Sequence, residues 1–172
     1  MELLSRYRKL RSQKVTVCYK VIKRLTDPKE FERAIKDISS LFDFENHNEG
    51  HFFLKHDEDG IIKSFAHTQI LNWDLMVWAN ENSHGNYDAL IAFLNEKNEK
   101  FGERIFSEYL WLSKNPKVGC RLFKIAVDEA KKRKFKYIKM GAAMAHPKHE
   151  KVIRFYKRMG FLKDSEVYIA RL

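Results

Sequence analysis

Cysteine and proline are both scarce in this chain, with two of the former and three of the latter among 172 residues. Cys18 and Cys120 fall in separate segments with no CxxC pattern, which excludes a disulfide framework and a thiolate zinc site; both read as small core residues. Seven glycines and three prolines lie scattered, and no repeat, low-complexity run or Ser-rich stretch marks a linker, so a single domain is expected. No apolar run is long enough to span a bilayer, and residues 1–14 lack the apolar centre of a secretion signal. A soluble, cytoplasmic protein without membrane contacts follows as the expectation. Hydrophobic residues make up 44%, enough for one sizeable core. The net charge of +10 favours phosphate-bearing partners, whether a nucleotide cofactor or nucleic acid, without separating the two.

Residues 1–13 read as a basic arm or short helix. Residues 15–22 alternate apolar and polar, the period of a half-buried strand. Asp27-Pro28 then opens a helix, with Asp as N-cap and Pro at the first helical position; Phe31, Ala34, Ile35, Ile38, Leu41 and Phe42 recur at helical spacing. Residues 51–55 and 61–70 flank the turn at residues 57–60 as a hairpin, and residues 75–78 extend that meander. Residues 80–86 read as a loop, and Tyr87, Leu90, Ile91 and Leu94 predict a helix fading near Gly102. The nearly continuous apolar run 105–112 suits a central strand buried on both faces. A helix over 118–134, a strand over 137–144, a helix over 148–159 ended by Gly160, and a strand over 166–171 complete an α/β fold around one mixed sheet.

Three places can carry chemistry. The loop 113–117 turns into a helix N-terminus, where unpaired N–H groups and the positive dipole end favour phosphate; Lys114, Lys117, Gly119 and Arg121 lie there. A solvated basic loop is the alternative. Glu108 sits inside the apolar run, where an unpaired carboxylate is costly and its pKa would rise toward a useful range for a base, unless a structural partner holds it. Gly141, Ala142 and Ala143 make a strand end of small side chains, open to a ligand approaching the backbone. His146 and His149 straddle Pro147 with no third ligand in view, so no metal is expected.

Residues 153–161, Ile-Arg-Phe-Tyr-Lys-Arg-Met-Gly-Phe, resemble the last helix and its ending in the GNAT N-acetyltransferase superfamily, and the resemblance extends over about residues 15–172. In that family the Tyr protonates the leaving thiolate, which implies a general-acid role for Tyr156; a core aromatic is the structural alternative. The family's acetyl-CoA loop reads Arg or Gln, two residues, Gly, one residue, Gly or Ala, with a Leu three positions on. Leu122 sets the register, placing Lys114 on the Arg/Gln, Lys117 on the first Gly and Gly119 on the second, so the first Gly is absent here. The resemblance implies cofactor binding by Lys114, Lys117, Val118, Gly119, Cys120 and Arg121. It also implies that pantetheine adds itself between splayed central parallel strands opposite Leu110 and Leu112, and that His149 stands where the family often has a pantetheine-contacting Asn. Glu103 matches the position of the base in some members and joins Glu108 as a candidate.

What the resemblance implies is a single GNAT-like acyltransferase domain over residues 1–172, monomeric or homodimeric, using acetyl-CoA. The acceptor would be a primary amine on a small molecule, a protein or an aminoacyl-tRNA. The competing reading is a non-catalytic GNAT-like module whose basic surface binds nucleic acid or an acidic protein.

Overall fold

The computed structural model describes residues 21–41, 59–60, 62–63, 75–98, 102–141 and 149–163. They belong to two units: residues 18–43 with 55–141, and residues 1–17 with 44–54 and 142–172.

In the first unit, strand β1 (Val21–Leu25) leads into helix α1 (Pro28–Ile38). The Asp27 carboxylate accepts the Lys29 N–H at 2.9 Å, and Pro28 occupies the position where a missing N–H costs nothing. Phe31, Ala34, Ile35 and Ile38 are buried, at the spacing that lines one face of a helix. A short 3-10 turn, Ser39–Leu41, follows. Strands β2 (Leu75–Glu81), β3 (Tyr87–Asn98) and β4 (Glu103–Ser113), helix α2 (Pro116–Lys132) and strand β5 (Tyr137–Lys139) follow. The sheet order is β1-β2-β3-β4-β5; every neighbouring pair is antiparallel except β4–β5, which is parallel. A mixed sheet flanked by helices results, as expected.

Alternation along the strands sorts the core into two layers. Val77, Ala79, Leu90, Ala92 and Leu110 form one apolar cluster with the inner face of α1. Met76, Trp78, Ile91 and Phe93 point the other way, and all are buried. There α2 packs across β2, β3 and β4 through Val118, Leu122, Phe123, Ala126, Val127 and Ala130. Trp111 lies against Phe123, with ring centroids 5.7 Å apart, and Phe93 stacks on Phe106 at 4.3 Å. At the edge, Lys23 and Arg33 lie over the Tyr87 ring, 5.3 and 4.6 Å from its centroid. The hydrogen bond from Lys23 to Glu30, at 2.7 Å, holds that ammonium's pKa well above the ordinary lysine value.

The structure departs from the sequence reading at several points. Tyr87, Leu90, Ile91 and Leu94 lie in strand β3, not a helix: residues 89–93 are all fully buried, and a strand covered on both faces loses the alternation that would identify it. Asp59, Gly60, Ile62 and Lys63 are helical rather than a turn and strand; an acidic run before apolar residues also signals a helix start. Asn80 and Glu81 belong to β2, which narrows the loop to residues 82–86. Strand β1 runs to Leu25, past the expected end at 22, with residues 15–20 outside the described residues; β5 ends at Lys139, and of the expected strand 137–144 residues 142–144 lie outside the described residues. The strand β4 is half-buried along much of its length, with Phe106, Ser107 and Leu110 its buried residues. Cys120 is exposed, since Val118, Gly119, Leu122 and Phe123 take the inward phase of α2. The arm 1–13, the segment 51–55, Cys18 and the strand 166–171 lie outside the described residues.

Of the second unit, helix α3 (His149–Arg158) and its ending are described. Gly160 adopts φ +85°, the Phe161 N–H reaches the Tyr156 carbonyl at 3.0 Å and the Gly160 N–H that of Lys157 at 3.1 Å. This is the paired hydrogen-bond closure in which the turn residue must be left-handed.

Candidate functional site

The end of β4 and the start of α2 are joined by two residues, Lys114 and Asn115. The Asn115 side chain caps α2, accepting the Lys117 N–H at 3.0 Å, while the Gly119 N–H begins the helical ladder on the Asn115 carbonyl at 3.0 Å. The Ser113 hydroxyl donates to that same carbonyl at 2.5 Å and accepts the Asn115 N–H at 3.2 Å. Helix α2 thus starts at Pro116, two residues before the expected 118. Asn115-Pro116 is the same kind of signal as Asp27-Pro28, and it was there to be read.

Gly119 has a packing role in this arrangement. A Cβ there would stand 3.1 Å from the Ser113 Cβ and 3.5 Å from the Trp111 indole nitrogen, so its absence lets the first turn of α2 close down on β4. Val118 is buried, whereas Lys117, Cys120 and Arg121 are exposed around the same turn. The Lys114 ammonium donates to the Asp37 carbonyl in the last turn of α1 at 2.6 Å, a cation placed on the negative end of a helix dipole. Its backbone N–H donates to the Asp88 carbonyl at 2.9 Å. Lys114, Lys117 and Arg121 are all exposed around this helix start.

The parallel ladder between β4 and β5 has three register pairs, Ile105 with Tyr137, Phe106 with Ile138 and Ser107 with Lys139. The ladder ends at Ser107 and Lys139, with Met140 and Gly141 outside any strand, while β4 continues to Ser113 against β3. The register against β3 shifts here: Phe93 pairs with Glu108 and Ala92 with Leu110, which leaves Tyr109 as the extra residue of a bulge. Leu110 and Leu112 turn their side chains into the α1 layer. Their backbone lies in the stretch of β4 beyond that ladder.

The two candidate carboxylates occupy different places. Glu103, at the start of β4, is salt-bridged to Lys136 and raises that lysine's pKa. Glu108 lies about 15 Å along the strand, by the usual rise per residue. Its carboxylate accepts the Gly141 N–H at 2.7 Å, the partnered one of the two alternatives for an acid inside an apolar run.

In the second unit Tyr156 is 8% exposed. Its ring packs on Phe161 at 5.5 Å and lies 5.9 Å from that of Phe155. His149 is the first residue of α3. Among the described residues no cluster of three His, Cys, Asp or Glu could hold a metal, and no helix is long and apolar enough to cross a membrane.

No family model matches the chain, and no curated protein matches its sequence. Solved structures do match its fold. A ribosomal-protein-alanine N-acetyltransferase from Brucella melitensis is 13% identical with a TM-score of 0.58, over 88% of this chain and 98% of that one. A glucosamine-6-phosphate N-acetyltransferase from Arabidopsis thaliana is 10% identical at 0.57, over 89% and 99%. A predicted acetyltransferase from Clostridium acetobutylicum solved with acetyl-CoA is 18% identical at 0.55, over 88% and 96%.

Proposed function

The chain has the GNAT acetyltransferase fold, and from that premise we propose that residues 1–172 work as one acyltransferase domain. It would pass an acetyl group from acetyl-CoA to a primary amine on a small molecule, a protein or an aminoacyl-tRNA. The observation that carries this reading is the end of the parallel ladder after Ser107, while β4 runs on to Ser113 and turns directly into the start of α2. A strand that runs past its ladder offers backbone groups to an extended amide-bearing arm, as an added strand would. The helix start beside it suits a diphosphate.

The residues present fit such a ligand. Lys117 and Arg121 supply exposed positive charge on the first turns of α2, with Val118, Gly119 and Cys120 completing the wall. The backbone of Leu110 and Leu112 lies on that stretch of β4. Lys114 supports the loop from its bond to Asp37, and His149 begins the helix that carries Tyr156. Acetyl-CoA supplies an acyl group activated as a thioester. The Tyr156 hydroxyl would hold a proton for a leaving thiolate. An amine acceptor is protonated at neutral pH and must lose a proton; Glu108, bonded to the Gly141 N–H, or Glu103, paired with Lys136, would take it, directly or through a relayed water.

One observation favours a second reading, a non-catalytic module using the basic surface for nucleic acid or an acidic protein: Asn115 already satisfies the Lys117 N–H that a phosphate would seek. Calorimetry with acetyl-CoA separates the two. Acyl transfer expects a dissociation constant in the micromolar range, weakened about tenfold in Lys117→Ala by loss of one phosphate-facing charge. No heat at millimolar acetyl-CoA would exclude the enzyme and leave the module.

A further inference from the structure

Where the ladder between β4 and β5 ends, the chain makes its next bond to β4 through a side chain. In a parallel ladder the bonds come at even spacing along both strands, and after Ser107 and Lys139 the register stops. Gly141 lies two residues beyond β5 and is exposed, so its N–H would otherwise turn to water. The Glu108 carboxylate takes it at 2.7 Å. Glu108 is the first residue of β4 past the ladder and the last before the bulge at Tyr109. A carboxylate therefore stands where the next backbone carbonyl would have been, reaching across the gap by the length of its own side chain. A ladder bond would draw the strands to within about 4.8 Å of one another; a Glu side chain between them cannot.

We infer that Glu108 is a positioning residue, a strut that fixes how far β5 departs from β4 and so sets the width of the slot that admits the acyl carrier. It grips β5 by a charge-assisted bond, which is shorter and stronger than a neutral one. Gly141 suits the far end of the strut: a Cβ there would lie 3.9 Å from the same carboxylate oxygen, in ordinary contact, and the N–H stays accessible. The identity of the slot's occupant rests on the acyltransferase reading above. The grip on Gly141 does not.

The test compares Glu108→Gln and Glu108→Ala with the unaltered protein by amide exchange at Gly141 and by calorimetry with CoA. Gln keeps an oxygen of nearly the same reach, so protection of Gly141 and CoA affinity should both stay within about threefold of the starting protein. Ala removes the strut; Gly141 exchange should quicken, and CoA binding weaken, each by about tenfold or more. Unchanged Gly141 exchange in Glu108→Ala overturns the strut. So does quickened exchange with unaltered CoA affinity, and so does equal weakening of CoA in both variants with Gly141 still protected, which would assign Glu108 to its charge alone. If the unaltered protein fails to bind CoA, the acyltransferase reading falls, and the exchange measurement alone decides whether Glu108 holds Gly141.

Discussion

Tyr156 carries two roles that one oxygen atom separates. Its ring lies against Phe161 and its carbonyl closes α3 on the Phe161 N–H, so the pattern of Tyr, three residues, Gly and Phe has a complete packing rationale in the helix ending alone. The hydroxyl is what that rationale leaves over. Tyr156→Phe keeps the packing and should change stability by only about 1 kcal/mol. With an amine acceptor in hand, a general-acid role predicts turnover lower by about a hundredfold with acetyl-CoA affinity nearly unchanged. Turnover at the original rate would remove Tyr156 from the mechanism. The sequence made this residue and its pattern visible because they are local. It made Glu108 visible as an acid in an apolar run, but not its partner, since Gly141 lies 33 residues away and only the sheet brings the two together. Lys114 is a similar case: its basic character was legible, whereas its bond to the Asp37 carbonyl, 77 residues distant, was not.

Two helices end in the same closure with different residues at its left-handed position. Helix α3 uses Gly160 at φ +85°, and α2 uses Lys134 at φ +61°, with the Phe135 N–H on the Ala130 carbonyl and the Lys134 N–H on that of Lys131, each at 2.9 Å. A side chain in that conformation costs about 1–2 kcal/mol. Opposite shifts are expected from opposite substitutions: Gly160→Ala destabilises by about 1 kcal/mol, and Lys134→Gly stabilises by up to about 1 kcal/mol, both read from chemical denaturation. A loss in Lys134→Gly comparable to that in Gly160→Ala would show that the backbone angle is not what governs these ends. Caps were the most legible elements, as Asp27-Pro28 and Gly160 attest. Strand β3 was the least. Its apolar positions satisfy a helical period by coincidence, because five consecutive buried residues match any period at all.

At the level of the whole molecule, the alternation of strand and helix in the second half was enough to anticipate a mixed sheet, whereas splayed central strands were expected only from the resemblance to the GNAT family. The middle of the chain was misread wherever both faces of a strand are covered. The bulge at Tyr109 left no mark in the sequence, because it follows from the register of β3 against β4 rather than from any residue preference. The sheet order, in which spatial neighbours are also neighbours along the chain, has a further consequence in time. Strands β2 and β3 meet across residues 82–86, where the Asn82 carboxamide gathers the N–H groups of His84 and Asn86 and Gly85 supplies φ +81°. Closing so short a loop takes microseconds, whereas β5 can join β4 only after all of α2 has formed and crossed the sheet. During refolding, pulse-labelled amides of β2, β3 and β4 should gain protection before those of Tyr137–Lys139; β5 protected first would reverse that order. The slot would then be the last part of the sheet to take shape, assembled on a meander that is already in place.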